Sequence, residues 1–259
     1  MFRSFIIFLK SFPLPVIIWK LSCKIFGKKI PIFKKWSTEF AGKSGLEMGG
    51  PSGMFNSNGY FPIYPIIKKL DGVNFSDSTI WEGSIVEGFN YKYYTKTGYQ
   101  FIAEGSKLTK ISDDCYDFVL SCNNLEHMAN PIQAVFEWKR VLKKKGVMLL
   151  ILPNKEANFD HRRPYTKLEH IVADFENNID EKDTTHLKEI LDLHDLKRDP
   201  QAGSNKQFRT RCNDNFDNRC MHHHVFNPEL LKGMIEYCGL KILGQYSSYT
   251  DHFVLAIKN

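Results

Sequence analysis

The sequence predicts an α/β protein with a mostly parallel β-sheet flanked by helices. Two apolar runs, residues 117–121 (DFVLS) and 147–152 (VMLLIL), have the continuous hydrophobicity of strands buried on both faces. A helical pattern lies between them, and a shorter strand at Ser44–Met48 leads into a glycine-rich turn. This alternation of strands and helices is typical of a parallel sheet covered by helices.

The helix between the two runs has clear start and stop signals. Asn130 is a favourable N-cap residue, and Pro131 follows in the first turn, where a missing N–H costs little. The cations and glycine of residues 143–146 (KKKG) are suited to end the helix. Three further elements are predicted near the C-terminus: a helix at 228–238 and strands at 240–243 and 253–257.

Composition indicates a folded protein, because 42% of its 259 residues are apolar and 25% are charged. The six cysteines form no C-x-x-C pair, which is typical of reduced thiols rather than of a disulfide framework. We therefore expect a cytoplasmic protein.

Residues 1–38 form a basic, apolar N-terminal arm, with eight Lys or Arg and no Asp or Glu. Lysines and prolines interrupt its apolar runs, so no run reaches the roughly 18–20 residues of a membrane span, and we expect no exported leader. One interpretation is that the arm lies on an anionic membrane surface at the inner face of the membrane. The other is that it packs on the domain's own surface or on a dimer partner.

Residues 39–259 are predicted to form one domain, within which residues 154–226 are too long for a simple connection. Insertions that follow the ends of strands build binding sites in such folds. Seven of the nine histidines lie in this insertion. We therefore expect it to bind the acceptor of a reaction.

Residues 46–55 read LEMGGPSGMF, an acidic residue followed by a glycine-rich turn. Glycine lets the backbone approach a ligand closely because it has no side chain. Pro51 interrupts the glycines, and it has no N–H to donate. The stretch alone is equally consistent with a structural turn.

Its context is more specific. The motifs at residues 116–121 (YDFVLS), Leu125–His127 (LEH), 130–131 (NP) and 140–146 (RVLKKKG) follow this loop in order. Together they resemble class I S-adenosylmethionine-dependent methyltransferases, in the type 11-like subgroup seen in polysaccharide and glycan biosynthesis. The resemblance covers residues 40–155. It implies a Rossmann-like methyltransferase fold, with a seven-stranded sheet and a long inserted cap before the last two strands.

The resemblance also implies a cofactor, S-adenosylmethionine, and residues that bind it. The usual loop pattern is acid-x-Gly-x-Gly-x-Gly, and Pro51 here replaces the middle glycine. Glu47 is then expected near the methionine end of the cofactor. The glycines of the loop are expected to form its cradle: Gly49, Gly50 and Gly53.

Two further acids are implied by position. Glu104 lies four residues before Leu108 and matches the family's contact with the adenine amine. The ribose-binding acid is expected to end the second strand, and we assign it to Glu82, with Asp71 as the second choice. For both acids the alternative is a role at the surface.

Methyl transfer to a sugar hydroxyl needs a base for the hydroxyl proton, and histidine suits this because its ordinary pKa lies near operating pH. The candidates for catalysis are His161, His170, His127 and Asp160. Arginine pairs bind phosphate or uronate groups through forked hydrogen bonds. The candidates for acceptor binding are Arg162, Arg163, His222 and His223.

Other interpretations of these histidines compete. A divalent metal site is permissible chemistry, but there is no His-x-x-x-His motif, and three consecutive histidines (222–224) cannot all face one ion in regular structure. We therefore predict no metal. The histidines also suit the insertion's own polar core, and Glu126 and His127 are suited to fix their loop.

We expect O-methylation of a sugar in a glycan or lipid-linked intermediate. Nucleic acid is disfavoured as acceptor because residues 39–259 hold 27 basic and 29 acidic side chains and no basic stripe. The alternative is a non-catalytic scaffold that binds a nucleotide or glycan, for which Pro51 is the motivation.

Overall fold

The computed structural model describes residues 12–26 and 29–259. The rest of the predicted arm, residues 1–11 and 27–28, lies outside the described residues. The strands are β1 (Ser44–Met48), β2 (Lys69–Asn74), β3 (Ser78–Thr79), β4 (Gly83–Ser84), β5 (Gly88–Tyr93), β6 (Lys96–Ile102), β7 (Tyr116–Cys122), β8 (Leu142–Pro153), β9 (Lys241–Ser247) and β10 (Asp251–Ile257). The α-helices are α1 (Leu14–Phe26), α2 (Phe33–Trp36), α3 (Pro131–Val141), α4 (Leu168–Glu176), α5 (Leu187–Leu193), α6 (Asn205–Asn213), α7 (Asn215–Asn218) and α8 (Pro228–Tyr237).

The main sheet has the order β5-β6-β2-β1-β7-β8-β10-β9. Strands β6, β2, β1, β7 and β8 are parallel, and β10 is antiparallel to both of its neighbours. This arrangement confirms the predicted Rossmann-like fold. The sheet has eight strands rather than seven, because β5 folds back on β6 as an additional antiparallel edge. The strand order reverses between β1 and β7, and such switch points are where these folds bind ligands.

Most of the predicted elements are present, but several boundaries differ; for example, the strand predicted at 240–243 runs from Lys241 to Ser247. Helix α3 begins as expected: the Asn130 side chain accepts a hydrogen bond from the Gln133 N–H at 3.0 Å. It ends at Val141, before the lysines that were expected to terminate it. Leu142 already pairs with Tyr116 of β7, so the lysines lie in the first part of β8, with their side chains exposed.

The glycine-rich turn after β1 leads into a single 3₁₀ turn, Gly53–Phe55. The chain between this turn and β2 is rich in aromatic side chains that pack against the sheet. Phe61 contacts Phe40, Trp36 and Phe253 with ring centroids 6.1–6.5 Å apart. Aromatic side chains therefore cover this part of the sheet.

Two hydrophobic cores lie on opposite faces of the sheet. Helices α3 and α8 bury Trp138 and Met234 in one core, together with Leu150 of β8. The other core includes Trp19 and Trp36 from the N-terminal segment. Burying one large apolar side chain contributes about 2 kcal/mol before chain entropy is counted. The described part of the arm thus packs on the domain's own surface, one of the two arrangements expected from the sequence.

Helix α1 has 13 residues, with Val16 and Ile17 buried and with Leu14 and Ile18 67% and 57% exposed. Within residues 12–26 and 29–259, no helix combines the length and the apolar character needed to cross a bilayer.

Residues 154–226 lie between the end of β8 and the N-cap of α8, and they contain helices α4 to α7. They have a small core of their own, which includes Ile190, Phe208 and Met221. Because β8 ends at the same edge as the other parallel strands, this insertion starts at the carboxyl edge of the sheet.

Candidate active site

A cavity of about 480 Å³ opens at the carboxyl edge of the sheet, next to the switch point between β1 and β7. This volume is in the range of small-molecule sites. The parallel strands β6, β2, β1 and β7 each contribute residues at or just beyond their carboxyl ends. Residues of the insertion form another part of the wall. The polar and aromatic lining includes Gly49, Pro51, Ser52, Asn74, Trp81, Glu82, Glu104, Asn124, Glu126, His127, Phe159, Glu181, Arg219 and His222.

Glu47 is the last residue but one of β1, and it is fully buried behind the cavity wall. The hydroxyl groups of Tyr64 and Tyr91 each donate to its Oε2 at 2.7 Å, and the Ser52 N–H donates to its Oε1 at 3.0 Å. Burial raises the pKa of Glu47 to about 7, and these hydrogen bonds oppose the rise. Glu47 therefore holds the shape of the loop from within.

The first two glycines of the loop are required by their surroundings. Gly49 has φ of +70°, and a Cβ there would lie 2.4 Å from Oδ1 of Asn124. A Cβ on Gly50 would lie 2.3 Å from the Tyr91 hydroxyl. Gly53 has open space around it. Of these three, Gly49 lines the cavity, together with Pro51.

The structure separates the two candidates for the ribose-binding acid. Glu82 does not end the second strand as expected, because β2 ends at Asn74, whose side-chain amide donates to the Gly50 carbonyl at 3.1 Å. Glu82 lies in the turn between β3 and β4, and it lines the cavity. Asp71 lies inside β2, where it accepts from the Tyr99 N–H at 2.7 Å, and it does not line the cavity.

Glu104 lies just beyond β6 and lines the cavity, as its spacing implies. Its Oε1 accepts from Arg219 at 2.7 Å, and the same guanidinium is 2.9 Å from Oε2 of Glu181. The guanidinium carbon lies 5.1 Å from the ring centroid of Phe75. Because Arg219 belongs to the insertion, these contacts close the insertion over this end of the cavity.

The other end of the cavity holds Glu126, His127 and His222, each with a side-chain nitrogen or oxygen within 4.8 Å of the others. Burial raises the pKa of Glu126 to about 7, and His222 opposes the rise. Burial, and then the nearby His222, hold the pKa of His127 well below its ordinary value. His127 is therefore a neutral imidazole near pH 7, with Nδ1 at 3.1 Å from the Met221 carbonyl.

Asp160 lies 2.5 Å, through Oδ2, from Nδ1 of His222. Burial alone lowers the pKa of His222, but Asp160 and then Glu126 outweigh it and raise that pKa above its ordinary value. Burial alone would raise the pKa of Asp160, but His222 and Arg163 hold it well below its usual range. Asp160 therefore fixes the orientation of the His222 ring through Nδ1, and Nε2 is the ring nitrogen that Asp160 does not contact.

Arg163, predicted to bind an acceptor, is instead fully buried behind the cavity. Its guanidinium donates to Asp160 at 3.0 Å and to the carbonyls of His222 and His223 at 2.7 and 3.2 Å. Nε donates to Glu189 at 2.8 Å. The guanidinium of Arg163 thus fixes the position of the backbone at His222 and His223.

Four more predicted residues lie outside the cavity. His161 and Arg162 both contact Asp195, at 3.0 and 3.2 Å. His223 is buried, with Nε2 at 3.2 Å from the Asn215 side-chain amide. His170 belongs to a separate cluster on the insertion. Of the predicted catalytic and acceptor-binding residues, the cavity brings together His127 and His222, with Asp160 behind His222.

Several cavity residues were not predicted. Asn124 and Glu126 follow β7 directly, so the rule that sites form beyond strand ends was sufficient to find them. Trp81 lies in the turn between β3 and β4, and Glu181 and Arg219 come from the insertion. No local pattern in the sequence marks these three residues, because long-range folding brings them to the cavity.

The comparisons with known proteins agree with this geometry. Residues 88–150, about a quarter of the chain, match a family model described as a methyltransferase domain. No curated protein matches the sequence.

Solved structures also resemble the chain. A SAM-dependent methyltransferase from Methanosarcina mazei is 13% identical with a TM-score of 0.46, and the match covers 89% of this chain and 98% of that one. A SAM-dependent methyltransferase from Aquifex aeolicus is 13% identical with a TM-score of 0.47, covering 95% of this chain and 98% of that one. The fold itself is established by the strand order, and residues 88–150 match a methyltransferase domain, for which the resemblance seen in the sequence implies S-adenosylmethionine as the methyl donor.

The cavity fits this donor, whose sulfonium and ammonium groups are cationic. Four glutamates line it against a single arginine: Glu82, Glu104, Glu126, Glu181 and Arg219. Oε2 of Glu126 and Nδ2 of Asn124 are buried without a hydrogen-bond partner among the described residues, so both are available to polar groups of a ligand. Gly49 also lines the cavity, where it has no side chain to separate its backbone from a ligand.

The raised pKa of Glu47 predicts that the stability of the folded protein depends on pH. Its pKa rises from about 4.5 when exposed to about 7 in the folded protein. Its stabilising contribution is therefore complete below pH 4.5 and is lost as pH rises through 7. Between pH 5 and pH 8 this effect lowers the unfolding free energy of the wild-type protein by roughly 2 to 3 kcal/mol. We expect Glu47→Gln to lack this contribution to the pH dependence, as measured by urea denaturation at both pH values.

The control for this measurement is Glu229→Gln, at an exposed carboxylate in the first turn of α8. It should leave the pH dependence of the wild-type protein unchanged. Equal pH dependence in Glu47→Gln and wild type would contradict the assignment of a raised pKa to Glu47.

Proposed function

We propose that this protein transfers a methyl group from S-adenosylmethionine to a hydroxyl group of a sugar, in a glycan or lipid-linked intermediate. One observation carries the proposal: the glycine loop and the group Glu126, His127 and His222 line the same cavity. A loop that holds the donor and residues that can accept a proton thus face a common space. This is the arrangement that methyl transfer to a hydroxyl requires.

The donor half of the cavity is formed by the ends of β1, β2 and β6. Gly49 admits the cofactor to the loop, Glu82 binds the ribose hydroxyls, and Glu104 contacts the adenine amine, as the resemblance implies. When bound, S-adenosylmethionine supplies a methyl group activated by its positive sulfur. Burial raises the pKa of Glu82, so a cationic ligand nearby favours its ionised form.

The acceptor half has His222 as its general base. Asp160 holds the His222 ring at Nδ1, and Nε2 would take the proton of the acceptor hydroxyl. The methyl carbon–sulfur bond of the donor would break as the carbon–oxygen bond forms, which would release S-adenosylhomocysteine. The resulting imidazolium is stabilised by the carboxylate of Asp160. Nearby, His127 is neutral near pH 7 and provides a polar wall that does not repel the cationic donor.

Aromatic rings support a sugar as the acceptor. Trp81 lines the cavity, is 55% exposed and contacts the His127 ring with centroids 5.4 Å apart. Phe159, in the insertion, also lines the cavity, and its ring centroid lies 4.8 Å from that of His222. A sugar ring has apolar C–H faces and polar edges, which match aromatic walls next to carboxylate and imidazole groups.

The test is methyl transfer from labelled S-adenosylmethionine to a panel of nucleotide-linked sugars and lipid-linked saccharides. We expect His222→Gln to lower the rate by about 10²- to 10⁴-fold, with the affinity for S-adenosylhomocysteine unchanged. The wild-type rate should rise with pH above 6.5, because His222 has a raised pKa and must lose its proton to act as base.

The matched control is His161→Gln, in the same insertion but outside the cavity, which should keep the wild-type rate. Equal rates in wild type and His222→Gln would overturn the role of the base. Transfer to nucleic acid or protein instead of any saccharide would overturn the acceptor class.

We also propose that the protein is cytoplasmic and that residues 1–38 hold it on the inner face of an anionic membrane. Eight cations without a single acid support this location, as do two exposed apolar side chains on α1, Leu14 and Ile18. The arm binds the domain through its buried residues and leaves these two for the lipid.

Full-length protein should co-sediment with phosphatidylglycerol vesicles, and much less with phosphatidylcholine vesicles. The double substitution Leu14→Glu and Ile18→Glu should reduce the bound fraction several-fold, because it places two charges at the lipid boundary. Val86→Glu, at an exposed apolar position outside the arm, is the control. Equal binding of the double variant and wild type would disprove contact through α1.

A further inference from the structure

A second cluster of histidines lies in the insertion, apart from the cavity. His170 and Asp174 are one helical turn apart on α4, His186 precedes α5, and His224 lies between α7 and α8. Each offers one nitrogen or oxygen atom, and these four atoms all lie within 4.8 Å of one another. None of the four residues lines the cavity.

The separations match the coordination shell of a small ion. A tetrahedral site with metal–nitrogen bonds of about 2.0–2.1 Å has neighbouring ligand atoms roughly 3.3 Å apart. Nε2 of His170 is 3.1 Å from Nε2 of His186 and 3.4 Å from Oδ2 of Asp174. The ligand atom of His224 lies within 4.8 Å of these three atoms. The four residues are therefore spaced for one ion without a large rearrangement.

The hydrogen bond between Nε2 of His170 and Nε2 of His186 accounts for only part of this convergence. Oδ2 of Asp174 and Nδ1 of His224 are buried and have no hydrogen-bond partner among the described residues. Nε2 of His224 lies 3.2 Å from the Ala129 carbonyl. When Nε2 donates a hydrogen bond to this carbonyl, Nδ1 carries no proton and has a free lone pair. Metal-binding histidines commonly donate their other N–H to a backbone carbonyl in this way.

We propose that His170, Asp174, His186 and His224 bind one divalent transition-metal ion of the zinc type. Three imidazoles and one carboxylate suit such an ion better than magnesium or calcium, which prefer oxygen ligands. Four protein ligands complete a tetrahedral shell, which is typical of a structural site rather than a catalytic one. This site is separate from the proposed methyl transfer and does not depend on it.

The ion would join three parts of the insertion that lie far apart in the sequence. It would link α4 and the start of α5 to the segment between α7 and α8. That segment also carries His222 of the cavity, two residues before His224. Metal binding would thus stabilise the insertion and the wall of the cavity together.

The test uses the full-length protein after removal of metal by chelation, titrated calorimetrically with Zn²⁺. We expect one ion per chain and a rise in the thermal unfolding temperature. Co²⁺ should give the intense visible absorption of a tetrahedral site. His186→Ala and Asp174→Asn should each weaken Zn²⁺ binding by at least about 10-fold, the low end of what removing a ligand or its support costs.

Two controls locate the ion. His161→Ala removes a histidine of the insertion outside both clusters and should bind Zn²⁺ like wild type. His127→Ala removes a member of the cavity group and should also leave binding unchanged. If His186→Ala fails to fold, as judged by circular dichroism, His170→Ala replaces it, since the His170 side chain is 43% exposed.

Three results would overturn the proposal. One is the failure of the metal-free wild-type protein to bind Zn²⁺. Another is binding that is lost in His127→Ala but kept in His170→Ala, because the ion would then belong to the cavity. The third is binding of Zn²⁺ without tetrahedral Co²⁺ absorption and without any change in thermal stability.

Discussion

The buried carboxylate of Glu47 is the constraint on which the rest of the site depends. A carboxylate without water needs hydrogen-bond donors, and two tyrosine hydroxyls and one backbone N–H supply them. The backbone N–H belongs to Ser52, so this network sets the path of the glycine loop. A side chain on Gly50 would collide with the same network, since its Cβ would lie 2.4 Å from Cδ of Glu47. The path of the glycine loop, and with it this wall of the cavity, is therefore set by the hydrogen bonds of Glu47.

Arg163 has the corresponding role in the insertion. It is 1% exposed, and its donors reach Asp160, Glu189 and the carbonyls of His222 and His223. Leaving such a cation buried without partners would cost several kcal/mol, so its partners are held in place with it. Arg219 closes the other end of the insertion over Glu104. One arginine therefore positions the residues of the acceptor half, and the other covers the donor half.

Local signals in the sequence were enough for strands β1, β7, β8, β9 and β10 and for the helix that starts at Asn130, because a buried strand or an N-cap is encoded within a few residues. Strands β5 and β6 were not predicted, and the second strand ends at Asn74 rather than at Glu82. The loop acid at Glu47 was also visible, but its role was not, since its tyrosine partners lie 17 and 44 residues away. The same limit applies to the histidines. Asp160 and His222 are 62 residues apart, and only folding separates the cavity histidines from the cluster at His170.

Cofactor binding by the glycine loop is tested most directly by calorimetric titration of the full-length protein with S-adenosylhomocysteine. The titration compares wild type with two glycine variants. Wild type should bind one molecule per chain. Gly49→Ala should weaken binding at least tenfold, because its φ is +70° and its Cβ would meet Asn124, whereas Gly53→Ala should bind like wild type. Absence of binding in wild type, or equal loss in both variants, would contradict the claim that this loop is a working cofactor site.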